Sequence, residues 1–248
     1  MFRNLRNPSA YLAVKLGLSK RDPLLLKLRN GVVAEVSRRL LQTFKESVFA
    51  EDYIQGFPAR VVRGFGGSNV VDVGANAGFF SLWWLSRFRG SRVVAVEPMP
   101  NNFAQLQRNT ALNPVHMLHP VNCAMSSLAG EITLSFNRSE HFTTAASVLD
   151  NATGADKVSV KTVPLARMME DYQFDRVDFL KLDCEGSEYD ILYQCEPAVL
   201  RKVGCIGMET HRGSKPEQTK EALCDFLRTK DFRVQTQPAS AMVYAWRQ

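Results

Sequence analysis

A chain of 248 residues with 45% hydrophobic and 23% charged side chains is neither a disordered nor a fibrous protein, and fits one α/β domain or one domain with an appendage. No run approaches the ~18 apolar residues that a membrane span needs. The net charge of +6 is unevenly placed: residues 1–45 hold ten Lys/Arg against Asp22 and Glu35, while the remainder holds 21 against 23 acids, which argues against a protein that wraps nucleic acid.

Residues 1–23 read as a basic, solvated tail that could rest on an anionic membrane surface or a partner. Lys15 breaks their apolar part and no small-residue cleavage site follows, which argues against a signal peptide. The five cysteines are odd in number and none are in C-x-x-C spacing. That argues against a disulfide framework or a zinc site and for reduced, cytoplasmic thiols. Apolar runs at 24–29 and 32–36 flank Asn30-Gly31, a hairpin turn whose two positions need positive φ. From Ser37 the spacing of Leu40, Leu41, Phe44 and Val48 predicts a helix that Pro58 stops. Residues 24–63 thus form a hairpin-plus-helix appendage that packs on the main domain, residues 64–248, or covers its cleft.

The stretch V-V-D-V-G-A-N-A-G-F-F at 70–80 organises the main domain. Val70, Val71 and Val73 read as a strand buried on both faces, and 77–88 as a helix. Gly74 and Gly78 frame the turn between them, where backbone approaches a ligand closely. The D-x-G-x-N-x-G spacing of Asp72, Gly74, Asn76 and Gly78 resembles the first motif of S-adenosylmethionine-dependent methyltransferases. A second strand, 92–96, ends in Glu97, 23 residues beyond Gly74. An acid at that distance can accept both hydroxyls of a ribose. After a helix over 101–109, a strand over 117–122 leads to Cys123-Ala124-Met125-Ser126, whose small residues leave room for a flat adenine. Met125 and Ser126 are the candidates there.

Ile132, Leu134 and Phe136 alternate, as do Val158, Val160 and Val163, so two strands flank a polar loop over 137–154. Pro164 opens a helix to Asp171. The buried strand 179–182 then delivers Asp183 and Glu185 to its carboxyl end, where open α/β sheets bind ligands. Gly186 turns into a helix carrying Glu188, an acid that also suits a helix N-terminus. A strand over 203–208 ends in Glu209, Thr210 and His211. An amphipathic helix over 215–230 and a hairpin of strands 232–235 and 241–246 complete the sheet.

Together V-D-V-G-A-N-A-G, V-E-P, V-x-V-K-T-V-P-L and K-L-D-C-E-G-S-E resemble the FkbM family of methyltransferases over about residues 24–236. Leu180 takes the place of an isoleucine in the family's I-K-x-D-x-E-G-x-E, and Cys184 is a small variation. The resemblance implies an α/β, class I (Rossmann-like) methyltransferase fold. Its sheet is mostly parallel and seven-stranded, with helices on both faces and a C-terminal antiparallel hairpin. It implies transfer of a methyl group from S-adenosylmethionine to a hydroxyl, commonly on a sugar or a polyketide-type metabolite. Asp72, Gly74, Asn76 and Gly78 would line the methionine end, Glu97 the ribose and Ser126 the adenine edge, with Asp183 and Glu185 facing the methyl and the acceptor. Asp183, Glu185 and His211 are then the candidate bases. The acids alone would also suit Mg²⁺, but the resemblance brings no metal with it. A nicotinamide oxidoreductase shares the ribose acid, but the Asn76 spacing and the acid-rich strand end argue against it. A non-catalytic binding module would not need Asp183 and Glu185.

Overall fold

The computed structural model describes residues 2–136, 156–237 and 240–247. Helix α1 (Pro8–Lys15) opens with proline at its first turn and closes on a lysine, each at the end its chemistry favours. Leu5, Tyr11 and Val14 are buried, and the Asn4 amide donates to Val48 O at 2.6 Å. The stretch expected as a solvated tail therefore lies against the body. Its basic residues Arg6, Lys15, Lys20 and Arg21 stay exposed while the apolar face goes under.

Strands β1 (Leu24–Lys27) and β2 (Val33–Val36) pair antiparallel, with Asn30 and Gly31 at φ 53° and 76° in the turn. A continuous helical run follows, from a 3₁₀ turn (Arg38–Leu40) through α2 (Leu41–Lys45) to a π-turn (Glu46–Ala50). Leu40, Phe44 and Val48 are its buried face. The run stops at Glu51, in the left-handed region at φ 57°, and not at Pro58. Pro58 instead introduces α3 (Ala59–Arg63).

The core is built from β3 (Asn69–Val73), α4 (Phe79–Arg87), β4 (Arg92–Val96), α5 (Pro100–Ala111) and β5 (Met117–Val121). A small sheet interrupts it: β6 (Ala124–Met125), β7 (Gly130–Phe136) and β8 (Asp156–Val163), in the order β6-β8-β7. The core resumes with α6 (Leu165–Asp171), β9 (Val177–Leu182), α7 (Glu188–Tyr193), α8 (Pro197–Leu200) and β10 (Val203–Glu209). It ends with α9 (Lys220–Thr229), β11 (Arg233–Thr236) and β12 (Met242–Trp246). The main sheet runs β11-β12-β10-β9-β3-β4-β5. Strands β10 to β5 are parallel and β12 is antiparallel to both neighbours. This is the class I methyltransferase arrangement.

Alternate residues of each central strand feed opposite faces. Val70, Val93 and Phe179 join α4 and the N-terminal segment in one apolar cluster. Val71, Val94 and Leu180 join α6, α7 and α9 in another. Because both faces are covered, the strands read as continuous apolar runs.

The hairpin docks through an amide ladder. Gln105, Asn109 and Asn113 recur every four residues along α5 and its end, all buried. They satisfy the outer edge of β2: Asn113 exchanges two bonds with Val33, Asn109 accepts from Glu35 N, and Gln105 donates to Glu35 O. An edge strand left unpaired there would bury polar groups at about 1–3 kcal/mol each. Among the described residues no helix is long and apolar enough to cross a membrane.

Candidate active site

The parallel order β4, β3, β9, β10 sets Glu97, Gly74, Asp183 and Glu209 side by side at the carboxyl ends of their strands. They border a cavity of about 570 Å³, within the usual range for a small-molecule site. Residues 43–55 supply another wall, with Glu46, Asp52 and Tyr53, and the small sheet supplies Ile132 and Leu134.

At the β4 end, Glu97 is only 4% exposed. Its carboxylate accepts the N–H of Asn76 at 2.8 Å and of Met99 at 2.9 Å. Burial nevertheless pushes its pKa up to about 7, against the lowering effect of those two N–H groups. Gly74 is at φ 73°, and a Cβ there would lie 1.7 Å from Asp183 O, so no side chain fits. Asn76, also left-handed at φ 51°, turns the chain toward α4 and accepts Ala77 N–H on its own side chain. Met99, Ala124 and Met125 line the cavity beside Glu97.

At the β9 end the polar groups hold one another. Lys181, 3% exposed, stands 3.0 Å from Asp72 Oδ1 and 3.5 Å from Asp183 Oδ2, and donates to Gly74 O at 2.8 Å. The β3–β9 register sets Asp72 directly opposite Lys181. The Tyr53 hydroxyl also donates to Asp183 Oδ2, at 2.6 Å. Glu185 occupies a left-handed conformation at φ 52°, a strain that clusters at functional sites. Burial first, and then Asp183 and Glu209, raise its pKa, with His211 opposing. Burial first, and then Asp183, likewise raise Glu209.

His211 Nε2 is 3.5 Å from Glu185, and Nδ1 is 3.4 Å from Glu188. Glu188 above all, with Glu185 and Asp183 adding, raises the imidazole to about 9, so it is protonated at neutral pH. In that state it donates and cannot accept a proton. Glu188 itself is fully buried and accepts the N–H groups of Gly186 and His211, tying the β9 turn to the end of β10.

The structure thus brings Gly74, Asn76, Glu97, Met125, Asp183, Glu185 and His211 to one cavity. Asp72 lies beneath it, bonded to Ser81 and Lys181. Gly78 starts α4, where a Cβ would meet Leu106, and Ser126 gives its hydroxyl to Asp190 at 2.7 Å. Neither of these borders the cavity. The loop 137–154, read as polar from sequence, lies outside the described residues. Donor atoms of Asp183, Glu209 and His211 come within 4.8 Å of one another. Within this group Asp183 already faces Lys181 and Tyr53, while His211 faces Glu185 and Glu188. No motif announces Tyr53, and Lys181 stands in K-L-D-C-E-G-S-E without a role read for it. The local signal for its burial is a lysine inside an apolar strand two positions before an acid.

A buried acceptor at β4, an apolar slot beside it and carboxylates at β9 and β10 match a nucleoside joined to a cationic sulfonium. S-adenosylmethionine, the cofactor, fits this set. The model of the methyltransferase FkbM domain matches residues 72–234. Methyltransferase sdnD of Sordaria araneosa is 28% identical over 184 residues, 63% of this chain and 71% of that one. The hexuronic acid methyltransferase AglP of Haloferax volcanii is 25% identical over 154 residues, 62% of this chain and 60% of that one. The crystal structure of Aeropyrum pernix fibrillarin aligns with a TM-score of 0.46 at 13% identity, covering 89% of this chain and 92% of that one. The strand order, the acid-bearing strand ends and the match over 72–234 converge: the chain belongs to the FkbM family of S-adenosylmethionine-dependent methyltransferases.

Proposed function

We propose that this methyltransferase methylates a hydroxyl oxygen of a sugar or polyketide-type metabolite. The observation that carries the reading is Asp183. Its Oδ2 is held by Tyr53 and Lys181, Oδ1 has no protein donor among the described residues, and the residue borders the cavity. When bound, the cofactor supplies a methyl group activated on sulfonium sulfur. Glu97 would hold the ribose hydroxyls, and Met99, Ala124 and Met125 the adenine. Asp183 orients the acceptor hydroxyl and takes its proton at Oδ1 as the new carbon–oxygen bond forms. Glu185 supports the charge, and His211, already protonated, serves as a donor.

Glu46, Asp52 and Glu209 line the rest of the acceptor side. Their like charge supports an acceptor without a carboxylate, unlike the acid named for the archaeal relative. The test is a screen of neutral, amino and uronic sugars and of polyols with labelled S-adenosylmethionine, with product NMR to locate the methyl group. O-methylated neutral or amino acceptors are expected. Turnover restricted to uronic acids, or methyl groups found on nitrogen, would overturn the reading.

A further inference from the structure

We propose that Tyr53 is a positioning residue for Asp183: its hydroxyl, brought from the segment ahead of the family-matched region, fixes Oδ2 and turns Oδ1 to the acceptor. This rests on the reading of Asp183 as the proton-accepting group.

Three features place the phenol. The Tyr53 carbonyl lies against Gly207 of β10, where a Cβ would come within 2.4 Å of it. Tyr244 of β12 donates to Asp52 O at 2.6 Å, and Gly56 leaves room for the Tyr244 ring, which a Cβ would meet at 2.2 Å. The Tyr53 ring stands edge-on to Phe80 at 5.5 Å, with Lys181 Nζ 5.0 Å from its centroid. The segment 52–56 is thus locked onto β10 and β12 by two glycines and a tyrosine. Burial, and then Asp183, raise the Tyr53 pKa well above its ordinary value, so the hydroxyl keeps its proton and remains a donor.

Asp183 is faced by Lys181 of β9, by Glu209 at the end of β10 and His211 after it, by Glu185 in the turn and, through Lys181, by Asp72 on β3. All of these stay constant when only the phenol oxygen is removed. Tyr53→Phe keeps the ring and deletes the donor. Loss of a donor to a carboxylate favours its protonated form. The Asp183 carboxyl ¹³C resonance, followed in aspartate-labelled protein and assigned with Asp183→Asn, should move when the phenol donor is lost. S-adenosylmethionine affinity by calorimetry should stay within about twofold, and kcat should fall ~tenfold or more with the cofactor KM unchanged.

Site-specific 3-fluorotyrosine at position 53 keeps the fold and sharpens the donor. It should move the same Asp183 resonance in the opposite direction. An Asp183 resonance unmoved in either variant would overturn the proposal. A wild-type rate in Tyr53→Phe alone would do the same, whereas a wild-type rate in Asp183→Asn would sink the underlying reading of Asp183.

Discussion

The two ends of the cavity are held in different ways. Near β3 and β4, the polar group that matters is fixed by main chain: Glu97 accepts backbone N–H groups 21 residues upstream and two downstream. Near β9 and β10, side chains fix side chains, and the partners are far apart in sequence. Tyr53 and Asp183 are 130 residues apart. Lys181 serves two carboxylates at once, and His211 lies between Glu185 and Glu188. A main-chain scaffold keeps its shape when one side chain is cut. A network of side chains loses its neighbours' geometry with each member removed. The cofactor end should therefore fail in affinity, and the acceptor end in turnover.

The largest effect is expected at the acceptor end. Asp183→Asn preserves size but removes the charge and the proton-accepting oxygen. Turnover should fall ~10²-fold or more, the scale of a lost general base, with S-adenosylmethionine still bound. Lost cofactor binding in this variant, measured by calorimetry, would merge the two ends and break the contrast.

The cofactor end comes next. Glu97→Ala removes a charged acceptor worth about 1.5–3 kcal/mol, so S-adenosylmethionine affinity should weaken by roughly one to two orders of magnitude. Equal affinity in variant and wild type would take Glu97 out of the site. The same residue predicts a pH dependence. Its carboxyl titrates near 7 because burial disfavours the charge, and the ionised form is the one that accepts two hydroxyls. Below that pH a proton must leave before the ribose binds. Affinity should therefore fall about tenfold from pH 8 to pH 6, and Glu97→Gln should flatten the curve. A flat wild-type curve would show that the carboxylate does not face the ribose.

The same division explains what could be read in the chain. Gly74, Asn76 and Glu97 announce themselves because positive-φ turns and a strand-end acid leave short, regular spacings. Asp183 is legible as an acid ending an apolar run. Lys181 falls in the K-L-D-C-E-G-S-E motif, but its burial is not legible, since a lysine in a strand ordinarily reads as solvent-facing. It is buried because the β3–β9 register sets Asp72 opposite it, and Asp183 completes the charge balance. Asp72 shares the glycine motif yet serves this lysine beneath the cavity floor. Tyr53 belongs to a helix-and-loop segment whose local pattern says only that it packs. The basic N-terminal residues hid an apolar face made by Leu5, Tyr11 and Val14. In each case the missing information is a pairing across the fold, which no window of sequence contains.

The smallest expected effect concerns Ser126, which sequence places at the adenine edge. Its hydroxyl donates to Asp190 Oδ2 at 2.7 Å, and its N–H goes to Val163 O at 3.3 Å. Asp190 also receives the N–H and the hydroxyl of Ser127. Both polar groups of Ser126 are thus committed to joining the β6 turn to α7 and β8, and the apolar surface of Ala124 and Met125 faces the cavity instead. Ser126→Ala deletes one of four bonds to the Asp190 carboxylate and leaves the other three, two from Ser127 and one from Gln194. It should lower stability by about 0.5–1.5 kcal/mol, read as a small drop in Tm. S-adenosylmethionine affinity should stay within about twofold. A tenfold loss of affinity without a matching loss of stability would mean that the hydroxyl leaves Asp190 for the adenine, and that side chains fix the cofactor end as they fix the other.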